Sequence, residues 1–266
     1  MTDYTDIAVT QADHVTTVEI QRPPANFFDH SLIGQIADAF DAADADPDCR
    51  AIVLASQGKH FCAGANFGSG KNDNSGSRDF TEEGFRNTTG ILYREAARLF
   101  ANKTPIVGAI QGAAIGGGLG LALVPDFRVA AAEARFGANF VKLGIHQGFG
   151  LSVTLPRLIG QQAAALMLLT GRRVDGEQAL AMGLVDVLTD QTNLRAEATR
   201  LAREIAENAP LAVASVRATL RAELAAEVAA ATEHELSEQQ WLRATEDADE
   251  GIRAVAERRP GNFKAR

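Results

Sequence analysis

The sequence predicts an α/β protein built from repeated, stacked strand–turn–helix units, and three observations carry that expectation. Two short apolar runs, 51–55 (AIVLA) and 106–110 (IVGAI), show no alternation and therefore suit strands buried on both faces. Each leads into a glycine-containing turn, 58–66 after the first run and 111–120 after the second. Past Gln191 the pattern changes to long segments rich in Ala, Glu, Arg and Leu, at 194–207, 210–222 and 224–247, which predict helices. The natural division puts a core over 1–192 and a helical subdomain over 193–266. The apolar positions of that subdomain are too few to bury themselves, so it is expected to pack on another surface, a neighbouring subunit included.

In chain order, 15–21 (VTTVEIQ) alternates with a period of two and reads as a strand, stopped by Arg22-Pro23-Pro24. Asp29 or Ser31 supplies the cap of a helix through Leu32, Ile33, Ile36, Ala39 and Phe40, which ends near residues 44–48. After AIVLA, residues 64–83 are rich in Gly, Ser, Asn and Asp and have no periodicity, the composition of a functional lid. A helix follows over 88–101, then IVGAI, then a helix from Gly117 to Val124 and a third buried strand from Phe127 to Ala131. The stretch 106–124 is apolar enough to imitate a membrane span, but its glycines and flanking turn residues fit a strand, a turn and a helix start better.

A length of 266 residues allows one large domain with a substantial core, and 46% hydrophobic with 23% charged residues is globular usage. The 34 acidic residues outnumber the 26 basic ones, and the net charge of −8 argues against nucleic acid as a partner. A local basic pocket for a phosphorylated ligand remains compatible with that balance. Cys49 and Cys62 have neither metal-ligand nor redox spacing, which fits a reducing compartment and no metal. The first residues show no secretory or transit pattern. The expectation is a cytoplasmic protein with no membrane contact.

The chemistry lies in the two glycine turns, GKHFCAGAN (58–66) and QGAAIGGGLG (111–120). A dinucleotide fingerprint fails, because six positions counted from Gly116 end on Leu121, and no lysine follows Gly120 as a phosphate-binding loop of the Walker type requires. Two readings remain. One is tight packing of helix on strand; the other is a hole for an oxyanion, because glycine lets a ligand approach backbone N–H groups closely. One N–H from each turn would bracket a thioester oxygen, and each such donor is worth roughly 3–4 kcal/mol in the transition state.

HFCAGAN and TPIVGAIQGAAIGGGLGLALVPDFRVAAAEARFG resemble the two signature regions of the crotonase (enoyl-CoA hydratase/isomerase) superfamily. The likeness continues through LPRLIG (155–160), LLTGRRVDGEQALAMGLVDVL (168–188) and ERRPGNFKAR (257–266), so that it covers nearly the whole chain. The resemblance implies a crotonase-like spiral of ββα units with a C-terminal helical trimerisation region, assembled as a homotrimer or a dimer of trimers. It implies an acyl-CoA thioester as partner and no cofactor beyond the coenzyme A moiety of that substrate. It further implies that the N–H groups of Ala65 and Gly117 polarise the thioester carbonyl. The backbone from Ala63 to Ala65 would hold the adenine end of coenzyme A, and Arg258, of this or a neighbouring subunit, would contact a phosphate. Asn66, Gly116, Gly120 and Phe140 would border the substrate pocket.

Hydratases of this superfamily use two glutamates, and the matching positions here are Gly120 and Phe140, neither of which moves a proton. Standard 2-enoyl-CoA hydration is therefore not expected. A hydrolase, isomerase or lyase step is expected instead, with a catalytically silent acyl-CoA-binding paralogue as the alternative. Other branches place an aspartate at the position of Gly148, or a serine and an aspartate at those of Ile145 and Gln147. His146 is the candidate substitute acid or base, since an imidazole titrates near neutral pH, against the reading of a histidine bonded to backbone. Gln147 would orient a water or a carbonyl. Tyr93, Arg94 and Glu95 fall on the helix before IVGAI, and periodicity does not decide which of them points inward. Phe140 with Phe136 and Phe149 suits either an aromatic acyl pocket or plain core.

Overall fold

The computed structural model describes residues 4–66 and 82–266. The predicted lid over 64–83 lies outside them for residues 67–81. The chain runs β1 (Ile7–Ala12), β2 (Val15–Ile20), α1 (His30–Ala45), β3 (Ala51–Ser56), α2 (Glu82–Phe100), β4 (Ile106–Ile110), β5 (Ala113–Ile115), α3 (Gly117–Ala122), β6 (Phe127–Ala131) and β7 (Arg135–Gly137). A 3₁₀ turn over Asn139–Leu143 leads to α4 (Leu151–Ile159), α5 (Gln161–Thr170), β8 (Arg173–Asp175), α6 (Gly176–Ala181) and β9 (Val187–Thr189). The helices α7 (Leu194–Ala206), α8 (Pro210–Leu220), α9 (Leu224–Arg243) and α10 (Glu246–Ala256) complete it.

Two sheets organise these elements. Six strands pair in the order β1-β2-β3-β4-β6-β9, antiparallel between β1 and β2 and parallel thereafter, and three pair as β5-β7-β8. β4 then β5 then α3, and β6 then β7 then the 3₁₀ turn and α4, are successive ββα units, each giving one strand to each sheet. Cys62 joins the smaller sheet through a parallel bridge to Ala114, so the turn after β3 takes the place of its second strand. This is the crotonase-type spiral.

The lack of alternation in AIVLA has a direct cause. Ile52 and Leu54 enter one core with α1 and α2, while Ala51, Val53 and Ala55 enter a second core against Leu194, Ala198 and Ala202 of α7. Thus α7 closes the far face of the sheet. α1 starts where its cap predicts, with the Asp29 carboxylate accepting from the Leu32 N–H at 2.9 Å. α2 begins six residues before the predicted 88, because Glu83, Arg86 and Asn87 are exposed and leave no apolar period to read. The predicted helix over 224–247 breaks at Thr245, whose hydroxyl accepts from Ala248 N–H at 3.2 Å and opens α10. Among the described residues no helix is long and apolar enough to cross a membrane.

Candidate active site

Hydrogen bonds lace the two glycine turns together. Phe61 N–H donates to Gln111 O (2.8 Å), Cys62 N–H to Ala113 O (2.9 Å), and Ile115 N–H to Cys62 O (3.1 Å). Buried Asn26 fixes the first turn from behind, its amide donating to Gln57 O (2.8 Å) and His60 O (2.6 Å). Close approach then demands glycine. A Cβ on Gly118 would sit 2.2 Å from Cys62 O, and Gly64, at φ +91°, would place one 2.8 Å from Ile115 O. A Cβ on Gly117 would meet the Phe28 ring at 2.4 Å.

Ala65 and Gly117 consequently face one cavity of about 750 Å³, with Ala63, Asn66, Gly116 and Phe140 also on its wall. Among the described residues neither Ala65 nor Gly117 donates its N–H to a backbone carbonyl, and for Gly117, the first residue of α3, a helix start dictates this. Ala63 N–H is taken by Ala25 O at 3.0 Å. Phe28, Leu92, Leu143 and Phe149 make much of the wall apolar, with the Phe28 and Phe149 rings tilted at 5.7 Å. The exposed side chains of Lys59, Arg135 and Arg173 line the same cavity with Glu133, so cationic charge borders it despite the acidic chain.

Two titratable groups of the first turn are structural. Burial pushes the Cys62 thiol up to about 12, which leaves no thiolate nucleophile at neutral pH. His60 accepts the Ala113 N–H at Nδ1 (3.2 Å), and burial, with the charge of Lys59, lowers its pKa, so it stays neutral and holds the turn.

Other expected site residues lie elsewhere. His146 and Gln147 line a second cavity with Ser152 and Trp241, not the first. His146 Nδ1 lies 2.8 Å from Gln147 O, its ring meets the His234 ring edge-on at 5.8 Å, and Gln147 Nε2 donates to Ser152 Oγ at 3.0 Å. The chain turns through left-handed Gly144, and Gly148 and Phe149 take the side facing the first cavity while His146 and Gln147 take the other. Gly120 is also off the wall, because Phe149 covers it and a Cβ there would lie 2.6 Å from Phe149 Cβ. Arg258 is exposed and does not line the cavity of its own chain. Phe136 is wholly buried in the core away from the cavity.

Sequence reasoning missed Gln239 and Arg243 of α9 and left Tyr93 of α2 undecided, although all three line the first cavity. The one signal in the sequence was the apolar spacing of Leu92, Ala96 and Leu99, which Tyr93 adjoins.

Comparison with known proteins agrees with this architecture. The family model for enoyl-CoA hydratase/isomerase matches residues 10–266. The chain is similar to crotonyl-CoA hydratase of Syntrophomonas wolfei, 31% identical over 264 residues covering 98% of this chain and 98% of that one. It is similar to carnitinyl-CoA dehydratase of Citrobacter koseri, 32% identical over 262 residues, 97% of each. A crystal structure of enoyl-CoA hydratase/isomerase from Pseudoalteromonas atlantica superposes with a TM-score of 0.84 at 29% identity, covering 98% of this chain and 100% of that one.

Proposed function

The chain belongs to the enoyl-CoA hydratase/isomerase family, and from that premise we propose that this acyl-CoA-processing enzyme holds its thioester oxygen between the N–H groups of Ala65 and Gly117. The observation that carries the reading is the pair of interlaced turns, which present at one cavity wall two amide donors without backbone acceptors among the described residues. Donors fixed by the fold stabilise a developing oxyanion without reorganisation, and losing one costs roughly 3–4 kcal/mol. A volume of about 750 Å³ suits an acyl group with part of a pantetheine chain. The backbone at Ala63 and Ala65, with the cationic rim at Lys59, Arg135 and Arg173 and with Arg258 supplied by a neighbouring copy of the chain, is the proposed seat of the nucleotide end.

The reaction we propose is not 2-enoyl-CoA hydration, although similar proteins carry hydratase names. Hydration needs one group to activate water and a proton for C2. Phe140 offers no such group, and Gly120 is sealed beneath Phe149. The step proposed in its place is a hydrolytic, isomerising or lyase step on the polarised thioester.

A push–pull cinnamoyl-CoA tests the oxyanion hole, because its absorption moves to the red when its carbonyl is polarised. A red shift is expected on binding, with a smaller one in Gly64→Ala, whose strained turn displaces Ala65. Binding without any shift overturns the proposed hole. Crotonyl-CoA is expected to be hydrated at least about 10² times more slowly than by an enzyme carrying both acids. Efficient hydration overturns the non-hydratase assignment. A red shift with no turnover across short, branched and aromatic acyl-CoAs would leave a silent acyl-CoA binder instead.

A further inference from the structure

The cavity wall is poor in groups that exchange protons. The one carboxylate among its described residues is Glu133, which is exposed. Tyr93 stands out against this background. It lies on α2, is 6% exposed, and faces the cavity. Its phenol fills the space that a side chain at position 148 would otherwise take. A Cβ on Gly148 would lie 1.6 Å from the Tyr93 hydroxyl oxygen and 2.6 Å from Cζ. The next residue, Phe149, has its ring 3.5 Å from where a Cβ on Gly117 would stand. The hydroxyl therefore sits one residue along from the ring that packs on Gly117, the proposed oxyanion donor.

The hydroxyl also has a polar neighbour, because Gln239 Nε2 lies 2.9 Å from the same vacant Cβ position at Gly148. That nitrogen donates to His146 O at 2.8 Å. An amide nitrogen carries two protons, so one goes to His146 and a second remains on the nitrogen beside the phenol. A phenol oxygen that takes that second proton keeps its own proton for a molecule in the cavity.

We propose that Tyr93 is the proton donor of the acyl pocket, delivering its phenolic proton to the α-carbon of a thioester enolate held at Ala65 and Gly117. This rests on the thioester reading given above. In the step the Oη–H bond breaks and a Cα–H bond forms from the enolate electron pair, while the thioester C=O bond is restored. The phenolate left behind is met by the Gln239 N–H and by the Arg243 charge, and water returns its proton. Burial holds the phenol pKa well above 10, with the Glu235 charge acting in the same direction and Arg243 against it. At neutral pH Tyr93 is therefore an acid and a poor base, which suits an enolate formed by another step.

Microscopic reversibility supplies the test, because the phenolate must remove an α-proton in the reverse direction. The full-length protein is incubated with butyryl-CoA in deuterated buffer, and deuterium at Cα is followed by mass and proton NMR. One deuterium is expected to enter, at a rate rising about tenfold per pH unit between pH 7 and 9. Tyr93→Phe should slow it at least about a hundredfold while butyryl-CoA binding stays within a fewfold of the parent. Gly148→Ala keeps the phenol but evicts it from its slot, and should slow exchange similarly. Exchange as fast in Tyr93→Phe as in the parent overturns the inference, and so does the absence of exchange in a parent that binds butyryl-CoA. The two readings fail separately. An intact cinnamoyl-CoA red shift with Tyr93-independent exchange removes Tyr93 alone, whereas loss of the red shift removes the oxyanion hole and this inference with it.

Discussion

Gly120 shows how one residue sets the chemistry of its surroundings. Phe149 adopts a left-handed conformation at φ 63°, which turns its side chain onto α3 and leaves no room at position 120 for even a methyl group. Placing a carboxylate there is therefore not a matter of restoring one side chain. The Gly120→Glu variant is expected to lose about 1–3 kcal/mol of stability to overpacking, seen as a lower Tm, and to gain no crotonyl-CoA hydration. A variant as stable as the parent that hydrates crotonyl-CoA would show that Phe149 yields. The close packing of the two glycine turns was legible at this scale, because glycine patterns announce close backbone contact, whereas the roles of Ala65 and Gly117 were implied by the family resemblance. His146 was not legible as a residue outside the cavity. Four consecutive residues, 145–148, divide between two cavities, and only the turn at Gly144 determines which faces which. The orientation of Tyr93 likewise depends on α9, which lies about 140 residues away in the chain.

Among elements, α8 offers few buried apolar residues and is fastened by charge instead. Arg217 Nε lies 2.8 Å from Asp126 Oδ2, Arg221 reaches Asp126 Oδ1 at 2.8 Å, and Ile106 N–H donates to the same carboxylate. Burial pushes the Asp126 pKa up, but the two guanidinium charges and the backbone donor outweigh it and leave it lowered. A carboxylate lowered in the folded state contributes stability that is present above its unfolded pKa of about 3.9 and lost as pH falls through the folded value. Asp126→Asn is thus expected to cost about 3–5 kcal/mol at pH 7. Urea unfolding should show that deficit shrinking below pH 4, and a deficit unchanged between pH 7 and pH 3 would make the contribution non-electrostatic. The long elements were readable because their periods repeat. The strands β5, β7, β8 and β9 were not, since three residues are too few for a period and exist as strands only through their neighbours.

For the whole molecule, the two cores divide the labour. The larger gathers α1, α2 and the walls of the cavity, and the smaller lets α7 seal the far face of the sheet. Large apolar side chains nevertheless remain outside, with Leu211 at 86% and Leu169 at 78% exposure, and Leu220 and Trp241 also well exposed. Scattered residues of this kind are ordinary, but four on the outer helices suit the homotrimer or dimer of trimers that we propose. Sedimentation is expected to give three or six times the 28.2 kDa chain mass. A monomer at micromolar concentration would refute that assembly. By itself the sequence determined the α/β class and the two glycine turns that follow buried strands, because period, turn chemistry and steric demand act over a few neighbouring residues. Only the tertiary structure decided that Phe149 closes Gly120, that His146 turns to another cavity, and that the Tyr93 hydroxyl fills the space beside Gly148. Those outcomes depend on packing between α2, α9 and the 144–149 turn, and no short window of sequence contains all three.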